Sequence, residues 1–149
     1  MPYFNSKYFF WIDAGFFRDE SMTKYINNWP CLKKLKNDPR VLLNEIRKID
    51  KEELTNLMSF DRMAHDKFMN NRNMGAAFFG GRYDYLRKFI YFYFETFKLF
   101  IKKKKFIGSE QNLYTIVGYL HREITNIIHT GQYFIMKQYF LANNNNNSL

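Results

Sequence analysis

Tyr8-Phe9-Phe10-Trp11-Ile12-Asp13-Ala14-Gly15 decides how this chain is read. Its first five residues form an unbroken aromatic and β-branched run, the composition of a buried strand. Asp13 breaks the run, and two small residues follow. An acid at the carboxyl end of a strand stands where ligands gather in open α/β sheets. The position also has an ordinary reading, because Asp starts turns by hydrogen-bonding its own backbone.

Outward from this stretch, Arg40-Val41-Leu42-Leu43-Asn44-Glu45-Ile46 is the next predicted strand. Residues 18–38 between them are mixed and polar and read as loop with a short helix. Lys51–Met58 is predicted as a turn or two of helix with Asp50 as N-cap. Residues 70–73 read as loop. Gly75-Ala76-Ala77-Phe78-Phe79-Gly80-Gly81 reads as a short buried strand ending on a glycine pair. Leu86, Phe89 or Ile90, Tyr93, Phe97, and Phe100 or Ile101 then recur at helical spacing, with Asp84, Lys88, Tyr91, Glu95, Lys98 and Lys102 on the opposite stripe. Ser109 can cap a second amphipathic helix carrying Leu113, Ile116, Val117 and Leu120. Thr125-Asn126-Ile127-Ile128-His129 closes the series as a strand. Strands and helices alternating in this way predict an α/β layer fold.

The chain has 149 residues, the size of one domain, and 46% of them are hydrophobic, enough for a core. The expected domain spans 1–141. Residues 132–141 are apolar but of open type, and the Asn-rich tail at 142–149 is expected to be disordered. The formal charge is +9, from 23 Lys and Arg against 14 Asp and Glu. Such a balance attracts phosphates, nucleic acid or anionic membrane. The charge is dispersed, however, and its densest run, Lys102-Lys103-Lys104-Lys105, reads as a solvated helix end rather than a nucleic-acid contact.

Cys31 is the only cysteine, which excludes an intrachain disulfide and a cysteine-rich zinc site. Residues 1–7 show no basic region followed by a long apolar stretch, so no secretory signal is read. The most apolar window, 89–101, is interrupted by Glu95 and Lys98 and is too short to span a bilayer. The cytoplasm is the default expectation.

The chemistry-bearing candidates are few. Asp13 could coordinate Mg²⁺ or Mn²⁺, with the following small residues admitting a phosphate. His129, before Thr130-Gly131, offers an imidazole suited to Mn²⁺ or Zn²⁺. Glu110-Gln111 is either an acidic first helical turn or a pair aimed at a polyhydroxylated ligand. Gly80-Gly81 is either a simple turn or an open floor beside a ligand. His65 and His121 read as surface histidines. No P-loop, dinucleotide fingerprint, His-Glu-x-x-His or Gly-x-Ser-x-Gly is present.

In this order, Tyr8 to Gly15, Gly75 to Arg82 and Ile107-Gly108-Ser109-Glu110-Gln111-Asn112 resemble the HtrL/YibB-like family, which is similar to glycosyltransferases of the GT-A fold. The resemblance runs from about Tyr8 to His129. It implies that Asp13 matches the last acid of a metal-binding Asp-x-Asp motif, with Trp11 standing where the first acid would be. It likens Gly80-Gly81 to the acceptor-side turn and Glu110-Gln111 to a pair lining the sugar site. It likens His129 to the histidine that completes the metal site. Mn²⁺ or Mg²⁺, a nucleotide-sugar donor and an acceptor of unknown kind are the implied ligands. Only twelve residues precede Asp13, so the expected fold is a partial GT-A-like mixed sheet with packed helices, its amino-terminal nucleotide-binding half missing. The expected function is sugar transfer if active, or an inactive fragment. The alternative is a non-enzymatic binding protein on a degenerate glycosyltransferase fold. A partial sheet with an open edge also suggests a partner chain or a homo-oligomer.

Overall fold

Val41-Leu42-Leu43-Asn44-Glu45 is buried at every position, which only a strand covered on both faces and flanked on both edges achieves. The computed structural model describes residues 5–13, 32–60, 68, 71 and 73–130. They form β1 (Tyr8–Ile12), α1 (Leu32–Asn37), β2 (Val41–Glu45), α2 (Lys51–Met58), β3 (Met74–Arg82), α3 (Tyr83–Lys102), α4 (Glu110–Leu120) and β4 (Thr125–His129). The four strands make one sheet in the order β1-β3-β2-β4. β3 is antiparallel to both β1 and β2, whereas β2 and β4 are parallel. The fold is thus α/β with a mixed sheet, and β1, β2 and β4 all run the same way.

Side-chain alternation sorts the two faces. Leu42 of β2 packs with Leu35 of α1, Phe78 and the half-buried Tyr8, Phe10, Ile12 and Ile128. Val41 and Leu43 point the other way, into Phe89 of α3, Val117 of α4 and Ile127 of β4. A third cluster continues beyond the end of β2, joining Ile49, Leu57, Phe100, Leu113 and Ile116. Each fully buried Leu, Val or Phe contributes about 1.5–3 kcal/mol, so the stability lies mainly on the face that meets α3 and α4.

Local signals explain most element ends. Asp50 caps α2 by accepting the Glu53 amide at 2.7 Å. Ser109 stands at the N-cap of α4, although its side chain makes no capping hydrogen bond. Lys102 closes the last turn of α3 and Lys103 is its C-cap, so the lysine run is a helix end. Among the described residues, no helix is long and apolar enough to cross a membrane.

The structure corrects four expectations. β1 is an edge strand and only half buried, with Trp11 61% exposed, because β3 covers one side of it. Gly80-Gly81 does not end β3, which runs on to Arg82. Phe97 and Leu120 were assigned to apolar core stripes but are exposed at 37% and 41%. Of the paired alternatives on α3, Phe89 and Phe100 are the buried ones, and Ile90 and Ile101 face outward. The inward row is Phe89, Tyr93, Thr96 and Phe100, rotated slightly from the hydropathy pattern because Thr96 is buried and Phe97 is not. Residues 14–31 with Cys31, residues 61–67 with His65, and the residues from 131 onward lie outside the described residues.

Candidate functional site

Three strands running in one direction deliver their carboxyl ends to one edge of the sheet. These ends carry Asp13, Glu45 and His129. β2 and β4 are neighbours in parallel register, and the last pair in that register is Glu45 with His129. Parity places both side chains on the face occupied by α4. The helix supplies the third member, Tyr119.

Glu45 is only 3% exposed. A carboxylate so buried is costly unless it is paired or hydrogen-bonded. Here the Tyr119 hydroxyl donates to Oε1, and Nδ1 of His129 lies 3.1 Å from Oε2. The same hydroxyl oxygen accepts the backbone N–H of Ile49 at 3.1 Å. Burial, and then the hydrogen bond to Glu45, push the Tyr119 hydroxyl up to about 12. It therefore stays protonated and remains a donor at neutral pH.

The His129 side chain is 41% exposed, whereas that of Glu45 is 4% exposed. The ring is therefore anchored on its inner nitrogen. A carboxylate only accepts, so the hydrogen bond to Oε2 is donated by Nδ1, and in a neutral imidazole Nε2 is then the nitrogen with the lone pair. This is the arrangement by which a carboxylate fixes the tautomer of a metal-binding or proton-accepting histidine.

Neighbouring residues stiffen the edge. Thr130 donates through Oγ1 to Asn44 Oδ1 at 2.7 Å, and its N–H donates to the Glu45 carbonyl at 2.9 Å. Arg47 grips Glu53 with two nitrogens, at 2.6 and 2.8 Å, and reaches Oδ1 of the buried Asn73 at 2.6 and 2.9 Å. The Glu53 carboxylate raises the Arg47 guanidinium further above its usual value. The segments leaving β2 and entering β3 are thereby tied together.

Asp13 is exposed, and its N–H extends the β1–β3 ladder to the Ala77 carbonyl at 2.9 Å. It shares the edge with His129, but β3 and β2 lie between them. Three strand spacings amount to about 14 Å. Metal–ligand bonds are about 2.0–2.6 Å long, so one ion does not bridge these two side chains across the sheet. Among the described residues, no three His, Cys, Asp or Glu gather as a metal site.

Leu113 and Ile116 pack with Ile49 beyond the end of β2, whereas Val117 packs with Val41 at its start. α4 therefore points its amino end toward the carboxyl edge, and Glu110 and Gln111 lie at that end of the domain. No hydrogen bond among the described residues joins them to Glu45 or His129. Gly80-Gly81 lies elsewhere, opposite Phe10 and Phe9 in the half of the sheet where β1 begins. Both glycines are buried rather than floor-like. A Cβ on Gly80 would stand 2.3 Å from the Phe9 carbonyl oxygen, and one on Gly81 2.7 Å from that of Arg40. Close backbone approach is what requires glycine here. His121 stacks on Phe92 with centroids 3.7 Å apart, a packing role at the end of α4.

Sequence reasoning passed over Glu45 and Tyr119. The available signal was an acid two residues past the apolar run 41–43; the helix periodicity of α4 gave no hint that Tyr119 turns inward.

These features define an α/β protein with a mixed four-stranded sheet and a polar cluster at the carboxyl ends of its like-directed strands. No family model matches the chain, and neither a curated protein nor a solved structure matches it.

Proposed function

We propose that the carboxyl edge of the sheet binds the diphosphate-metal portion of a nucleotide-sugar, in line with the glycosyltransferase-like and GT-A resemblance of the sequence. The observation that carries this reading is the Glu45–His129 pair at the edge where α/β sheets bind ligands. His129 presents Nε2 outward, and Glu45 holds the ring. Asp13 contacts a different part of the ligand, since one ion does not reach both. A single imidazole with a carboxylate behind it suits Mn²⁺ better than Mg²⁺. Such an ion would offset the diphosphate charge as the bond to the sugar breaks. Glu110 and Gln111, at the same end, are the sugar-side candidates.

A second reading, a non-enzymatic binding protein on the same fold, is favoured by the separation of Asp13 from His129. Calorimetry of Mn²⁺ with a panel of nucleotide-sugars tests both readings. Wild-type protein should give heat with at least one donor, and His129→Ala should abolish it. Glu45→Gln should weaken binding about 10–100-fold, as removing the support of a metal-binding histidine does. Absence of heat from every donor would remove the donor-binding reading. Equal heat from His129→Ala would remove His129 from the site.

A further inference from the structure

α3 carries a second apolar row that its own packing leaves outside. Ile90, Phe94, Phe97 and Ile101 are 46%, 53%, 37% and 56% exposed, beside the buried Phe89, Thr96 and Phe100. Their steps of four, three and four place them on one narrow seam, the spacing of a helix that packs lengthwise on another helix. Trp11 extends the patch, lining with Ile90 and Phe94 a groove of about 430 Å³ between β1 and α3.

The row reads the same in both directions. Its residues are Ile, Phe, Phe and Ile, and its steps are symmetric about a point between Glu95 and Thr96. An antiparallel two-fold pairing about that point sets Ile90 against the partner's Ile101 and Phe94 against the partner's Phe97. A two-fold interface sets one patch against its own copy, and about this axis aromatic meets aromatic and aliphatic meets aliphatic.

The area is adequate. At the observed exposures, the four row residues with Trp11 present about 500 Å², in the range of the largest patch a monomer leaves open. Two copies would bury about 1,000 Å², the least expected of a specific interface. The charges flanking the centre, Glu95 and Lys98, pair with each other at 2.8 Å, so neither is desolvated alone.

We propose that this face is the interface of a homodimer, with α3 packed antiparallel on the α3 of a second copy. Each copy carries a net charge of +9, so the two repel at long range. Screening weakens that repulsion, and the dimer tightens as salt rises. Attachment of the same face to nucleic acid or anionic lipid would loosen with salt instead.

Sedimentation equilibrium of the full chain through the micromolar range tests the proposal at low and high salt. The expected wild-type mass approaches twice 18.2 kDa, more fully at high salt. Phe94→Glu with Phe97→Glu should give a monomer with unchanged far-ultraviolet circular dichroism. Ile90→Ser with Ile101→Ser should weaken the dimer at least about tenfold, and this milder pair carries the test if the glutamates disturb folding. A wild-type monomer at every concentration and salt would overturn the proposal. So would a dimer indifferent to both pairs, or a monomer that binds only anionic vesicles.

Discussion

Tyr119→Phe removes one oxygen atom and reports on the centre of the candidate site. In the wild type that hydroxyl donates to the buried Glu45 carboxylate and accepts the Ile49 amide. A hydrogen bond to a charged group contributes about 1.5–3 kcal/mol, and an amide left unsatisfied costs about 1–3 kcal/mol. Partial access of water to the hydroxyl lowers the sum, and a loss of about 2–4 kcal/mol is expected. That is a large fraction of the roughly 5–15 kcal/mol that holds a domain folded. Urea unfolding at neutral pH measures it directly.

An alkaline series supplies a second readout of the same substitution. The hydroxyl titrates near 12 in the folded chain and near 10 when unfolded. Its folded value is raised and it is an acid, so the unfolded chain releases the proton first. The contribution is fully present below about pH 10 and is lost as pH rises toward 12. A two-unit shift corresponds to about 2.7 kcal/mol; with screening, about 1–2 kcal/mol is expected. Tyr114 is raised to about 12 as well, mainly by burial. Tyr119→Phe should therefore flatten the alkaline slope without abolishing it. A variant within about 0.5 kcal/mol of wild type at neutral pH, or one with an unchanged alkaline slope, would refute the account of the Glu45–Tyr119–His129 cluster.

Three further substitutions probe the frame. Gly81→Ala drives a Cβ toward the Arg40 carbonyl and should destabilise by about 1–3 kcal/mol, read as a lower thermal midpoint. Asp50→Ala removes the α2 cap and should cost about 1 kcal/mol in urea unfolding. Asp38→Asn acts through acid stability. Hydrogen bonding to Arg40 holds the Asp38 carboxyl below its usual value. Its stabilising contribution is present above about pH 4 and is lost as pH falls through the lower, folded value. The variant should show a shallower acid-unfolding curve, and an identical curve would rule out the Asp38–Arg40 pair as a source of that slope.

Much of the architecture was legible because it is written in local patterns. The apolar run 41–43, the capping Asp50 and the alternating stripes of α3 each reflect short-range physics. They gave the order of elements and the α/β class. Asp13 and His129 were legible as strand-end residues for the same reason.

What lay beyond the sequence was everything set by strand order. Hydropathy could not tell that β3 would enter between β1 and β2, which exposes Trp11 and sets Asp13 three strands away from His129. Nor could it tell that β2 would sit in the middle of the sheet and bury Glu45. By itself the sequence determined which segments become strands and helices, because those choices depend on neighbours a few residues away. Only the tertiary structure decided which strand ends meet and which acid becomes the partner of His129. That partner is 84 residues distant along the chain, and pairing across such a span depends on packing of the whole sheet.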